Sequence, residues 1–142
     1  MKASARNQFI GIVSDIQIGT VNAEVYITLK GGEAIVASIT KESLESLAIK
    51  PGIEVLALVK APQIIIVTDF GGFKVSARNQ LKGVITQVKA GAVNTEIDIQ
   101  LSGGQAIAAT VTNDSVETLG LSKGETVTAI FKAGAVILAV AN

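Results

Sequence analysis

Arginine is used sparingly in this chain. Its 12 basic residues include only two arginines, Arg6 and Arg78, and each stands in the same pentapeptide: Ser4-Ala5-Arg6-Asn7-Gln8 and Ser76-Ala77-Arg78-Asn79-Gln80. A guanidinium carries a permanent charge and a rigid fork of donors, so confining it to one repeated position suggests recognition of an oxyanion. The other reading is a structural arginine that bridges a carboxylate across an interface. Further donors recur at the same spacing. Lys60-Ala61 returns as Lys132-Ala133, Thr40 as Thr112 and Ser43 as Ser115. One Arg and one Lys match the charge of a dianion, and hydroxyls add neutral donors to its oxygens. Such a set needs no acidic member, which suits an anion and not a metal cation.

Other chemistries lack their residues. The chain has no histidine and no cysteine, which removes the triad bases, the thiol nucleophile and the usual zinc ligands. The carboxylates that recur, Glu24 with Glu96 and Glu45 with Glu117, read as solvated strand and helix faces, not as an acid–base pair. The glycine pairs read as hairpins; neither a Walker pattern nor GxGxxG is present. With 12 acidic residues against 12 basic and 4% aromatics, the chain lacks the field and the stacking platforms of a general nucleic-acid binder. The polar start and the absence of a membrane-length apolar run predict a cytoplasmic protein with no membrane partner.

The elements that must hold these residues follow from a tandem duplication. An offset of 72 residues aligns the two halves without a gap, and about two-fifths of the paired positions are identical. The expected organisation is residues 1–70, a connector at 71–75, and residues 76–142. Within each unit the apolar period is mostly two: Val25, Ile27 and Leu29 alternate with Glu24, Tyr26 and Thr28. Strands are expected at 9–18, 24–30, 34–39, 53–60 and 64–68, with a hairpin at Gly31-Gly32 and a turn at Pro62. A short helix should start at Thr40, and another at Thr112 should end at Gly120. Five strands with a helix between the third and fourth predict an all-β protein: two tandem OB-like barrels, one per repeat, assembled into a symmetric oligomer.

The pentapeptide, together with Val21-Asn22-Ala23-Glu24-Val25, Gly31-Gly32, Ala37-Ser38-Ile39-Thr40 and Ala57-Leu58-Val59-Lys60-Ala61, resembles the Mop domain of molbindins. The resemblance covers the whole chain, twice. It implies OB-like domains in a homotrimer of six Mop domains, holding molybdate or tungstate between domains. Carried over, the oxyanion donors are Ser4, Ala5, Arg6, Thr40, Ser43, Lys60 and Ala61, and then Ser76, Ala77, Arg78, Thr112, Ser115, Lys132 and Ala133. A second site type, built on backbone donors, falls near Val21-Asn22 and Val93-Asn94. With no helix-turn-helix or nucleotide motif alongside, the expected role is a free-standing molybdate store that catalyses nothing and needs no catalytic cofactor. The alternative is an OB-type module for nucleic acid or protein, its Arg and Lys serving interface ion pairs.

Overall fold

Alternating apolar and polar side chains become ten antiparallel strands in the computed structural model, which describes residues 1–142. In the first unit these are β1 (Asn7–Ile18), β2 (Asn22–Leu29), β3 (Ala34–Thr40), β4 (Glu54–Val59) and β5 (Ile65–Val67), with helix α1 (Lys41–Ser46) between β3 and β4. The second unit repeats them as β6 (Asn79–Ala90), β7 (Asn94–Leu101), β8 (Ala106–Thr112), β9 (Thr126–Phe131) and β10 (Ile137–Ala139), with α2 (Asn113–Leu119). One-residue bulges interrupt β1 between Val13 and Asp15, and β6 between Ile85 and Gln87. A bulge bends and twists its strand, which suits a twelve-residue strand that pairs with β2 along one stretch and β4 along another. The result is an all-β architecture of two OB-type units with one short helix each.

The two sheets have strand orders β10-β4-β1-β2-β3 and β5-β9-β6-β7-β8. Each therefore takes its fifth strand from the other unit. Leu138 pairs with Ala57 of β4, and Ile66 pairs with Ala129 of β9. This corrects the expectation that each repeat closes its own barrel. The sequence conceals the exchange because both receiving strands offer alanine at the matching position, so the apolar pattern fits either partner. A 3-10 turn containing Pro62 (Ala61–Gln63) follows β4 and packs against β8, leading the chain across to the other unit. Its twin, Ala133–Ala135, packs against β3. A single cluster of 28 buried residues includes both exchanged side chains, Ile66 and Leu138, so the units share one core.

Two buried asparagines fasten the exchange. The Asn7 amide donates to the Ala108 carbonyl (2.8 Å) and accepts from the Ala108 N–H (2.7 Å). The Asn79 amide does the same with Val36, at 2.8 and 2.7 Å. Each side chain thus imitates one residue of a neighbouring strand and satisfies the outer edge of β3 or β8. The β2–β3 and β7–β8 hairpin tips also meet. A Cβ at Gly31 would collide with the Gly103 carbonyl, and the Gly103 N–H donates to Glu33.

Asn79→Ala should leave the Val36 N–H and C=O buried without partners and lower stability by about 2–3 kcal/mol, read as a lower urea midpoint; Asn7→Ala should behave alike at Ala108. The helix ends give an internal comparison. Gly120 closes α2 at φ 65°, while its counterpart Ala48 adopts φ 52°. Left-handed backbone suits glycine and strains alanine. Ala48→Gly should raise the melting temperature, by about 0.5–1 kcal/mol of stability, and Gly120→Ala should lower it by a similar amount.

Candidate functional site

Each arginine lies just ahead of its asparagine and reaches the β2-type strand of the opposite unit. Arg6 forms an ion pair with Glu96 on β7. Arg78 donates from Nη1 to Glu24 Oε2 at 2.6 Å and from Nη2 to the Tyr26 hydroxyl at 3.0 Å. Tyr26 Oη in turn donates to Glu24 Oε1 at 3.4 Å, which closes a three-membered set. Its ring lies under the guanidinium, 5.9 Å from the ring centre. The Tyr26 hydroxyl and then the Glu24 carboxylate raise the Arg78 pKa above its ordinary value. Both guanidinium groups remain about half exposed. They can therefore reach a solvent-borne anion.

The remaining donors gather by spatial neighbourhood and not by unit. Asn7 pairs with Val59 and Asn79 with Phe131, so Lys60-Ala61 and Lys132-Ala133 lie beside the Ser-Ala-Arg segment of their own unit. The hydroxyl donors do not. From Asn79, fixed on Val36, the chain runs back through Arg78, fixed on Glu24, whose register partner is Ser38. Followed two residues further, that track leads to Thr40. That track brings Thr40 toward the Ser76–Arg78 segment, and the 3-10 turn at Ala133–Ala135 packs on the same strand, β3. By the repeat symmetry Thr112 runs toward the Ser4–Arg6 segment in the same way. The strand exchange carries each β4 end and its 3-10 turn onto the other unit's third strand. An open groove of about 410 Å³ joins Ala77 and Lys132 to Gln63 and Ile65 from the first unit.

The hydroxyls already have structural partners. Thr40 Oγ1 accepts from the Ser43 N–H at 3.0 Å and bonds Ser43 Oγ at 2.8 Å; Thr112 and Ser115 repeat this at 3.1 and 2.8 Å. At the second candidate position the Val21 carbonyl accepts from the Lys41 N–H, and the Asn22 carbonyl from the Gly19 N–H, each at 2.8 Å. Val93 and Asn94 do the same for Asn113 and Gly91, at 3.1 and 2.8 Å. Both pairs therefore sit at the helix start of their own unit, beside Thr40 or Thr112.

Sequence reasoning missed two things. Asn7 and Asn79 were readable only as part of a repeated word; a repeated amide two positions before a buried aromatic or leucine was the available signal. Glu24 and Glu96 were expected to be solvated, yet they are partly buried against the arginines. Their exact recurrence beside the non-recurring pair Tyr26 and Asp98 was the clue. No group of three or more Asp or Glu side chains is arranged to hold a metal ion.

Fold and site together define a tandem OB-type binding protein, not an enzyme. The TOBE domain model matches twice, at residues 3–66 and 75–138. A solved structure of the cytoplasmic molybdate-binding protein ModG, in a form with molybdate bound, superposes with a TM-score of 0.97 at 47% identity, covering 99% of this chain and 100% of that one. The chain belongs to the TOBE-domain family, as a tandem member of the molbindin type. It is 44% identical over 140 residues to the molybdenum transport protein ModE of Herbaspirillum seropedicae, and 39% identical over 139 residues to the molybdenum-pterin-binding protein MopA of Rhodobacter capsulatus. The matches cover 99% and 98% of this chain but 52% of each relative, so the chain spans about half their length. A further relative, from Escherichia coli, is named a DNA-binding transcriptional dual regulator.

Thr40→Ala and Thr112→Ala should each remove a helix cap and lower stability by about 1 kcal/mol, visible as a small drop in melting temperature. Thr→Ser at either position should restore most of it.

Proposed function

We propose that the chain binds molybdate or tungstate reversibly and serves as a cytoplasmic store that buffers the oxyanion. The end-to-end likeness to molybdate-bound ModG is the observation that carries this reading. The chemistry of the donor set supports it independently. Two arginines, each beside a strand-end lysine, are placed where the units meet, and the only chemical partners they require are oxygens. The proposed donors are Ser4, Ala5, Arg6, Lys60 and Ala61 with Thr112 and Ser115, and Ser76, Ala77, Arg78, Lys132 and Ala133 with Thr40 and Ser43. Main-chain groups near Val21-Asn22 and Val93-Asn94 are proposed for a second site type.

A homotrimer of six domains belongs to the same reading. Val21, Val93, Ile65 and Ile137 leave 60–73% of their surface in solvent at equivalent places in both units. Such recurrence of exposed apolar side chains supports burial between chains. No helix is long and apolar enough to cross a membrane, and the reading includes no membrane or nucleic-acid partner. The regulators among the relatives support a second reading, in which the same tandem unit senses the anion and passes the bound state to DNA-binding machinery. A gel-shift titration with and without molybdate separates the two.

Calorimetric titration of anion-stripped protein with molybdate should show saturable heat that sulfate at equal ionic strength does not reproduce. Arg6→Ala with Arg78→Ala should abolish that heat while the circular dichroism spectrum stays native. Bound molybdate should also raise the melting temperature, because a native-state ligand must. Heat retained by the folded double variant would refute the arginine-centred site.

A further inference from the structure

We propose that Glu24 and Glu96 are built-in competitors of the oxyanion: each holds the arginine of the opposite unit until an anion displaces it, and their unequal surroundings make the two sites load unequally. This rests on the oxyanion reading above. The geometry supplies the competition. A carboxylate and a tetrahedral oxyanion present similar oxygens to the same guanidinium donors, and in this structure those donors already face Glu96 or Glu24. Binding is then an exchange of one anionic partner for another. The carboxylate that is released remains close to the incoming dianion, so it opposes binding both before and after the exchange.

The two exchanges differ because two neighbouring positions differ between the repeats. Beside Arg78, Tyr26 accepts from the guanidinium and donates to Glu24, so the ion pair is braced by a neutral group that competes for the same donors. The equivalent of Tyr26 is Asp98. Beside Arg6, Lys89 lies 3.3 Å from Glu96 and 3.6 Å from Asp98, where the first unit has Gln17. Lys89 shares the Glu96 carboxylate with Arg6, which loosens that carboxylate's hold on the arginine, and its charge offsets that of Asp98, which stands where the first unit has neutral Tyr26. The Arg6 site should therefore fill first, and the Arg78 site at higher anion concentration.

The test is a molybdate titration of the intact protein and four variants. In the wild type the heat should resolve into two phases. Glu96→Gln should tighten the first phase and Glu24→Gln the second, each by about threefold to tenfold, the range expected when one partly exposed ion-pair partner is neutralised. Tyr26→Phe keeps every charge and should tighten only the second phase, by about twofold to threefold. Glu54→Gln removes an exposed carboxylate of β4 and should change neither phase. Melting curves taken alongside identify a purely structural role. Lower stability with unchanged or weaker binding in both Glu→Gln variants overturns the inference, as does equal tightening in Glu54→Gln. Should Glu24→Gln fail to fold, an unchanged second phase in Tyr26→Phe overturns it instead. No uptake by any of the proteins, wild type included, overturns the oxyanion reading and this inference with it.

Discussion

The outer edges of β3 and β8 set the constraint that the rest of the molecule answers. A five-stranded sheet that does not hydrogen-bond into a closed ring leaves a row of main-chain groups without partners, and burying that row bare is costly. Here a side-chain amide from the other unit docks on each edge at one residue, Ala108 or Val36. Everything near the site inherits its position from that contact. The arginine is one residue ahead of the amide, the strand-end lysine is one residue beyond the amide's ladder partner, and the 3-10 turn follows the lysine onto the same edge. A change in the register of the amide would shift all of these groups together.

Electrostatics at the site follow from the neutrality of the chain. With equal numbers of acidic and basic residues, no broad field holds anions near the surface, and selectivity must come from local geometry. In the proposed reading the two arginines at the junction of the units provide it. Their carboxylate partners keep the junction ordered when no ligand is present. Without those partners, two guanidinium groups at an interface would be free to move.

Much of this was legible from the chain itself. The repeat, the alternation of Val25, Ile27 and Leu29, the cap at Thr40 and the glycine after Leu119 each obey a local rule, and all four reappear in space. The arginines stood out because their rarity is a property of composition. What could not be read was which unit owns each contact. Ile66 and Leu138 face alanines in either unit, so apolar patterning does not choose between them. The pairing of Glu24 with Arg78 spans 54 residues and depends on that same choice. Local rules determine elements, whereas ownership is decided by where the 3-10 turn after β4 or β9 sends the chain.

Exchange of the last strand also imposes an order on folding. Strand β4 is complete by Val59, yet its outer partner is Ile137–Ala139, the last strand of the second unit. A polypeptide emerging from the ribosome cannot finish its first sheet until the second unit has been made as far as Ala139. The first unit must wait with an open edge, and contacts of such long sequence separation form slowly. During that interval another nascent chain offers an equally good tenth strand. Cells making this protein at high rate therefore face a choice between closure within one molecule and chaining between molecules, and the short connector between the units favours the first by keeping the proper strand close.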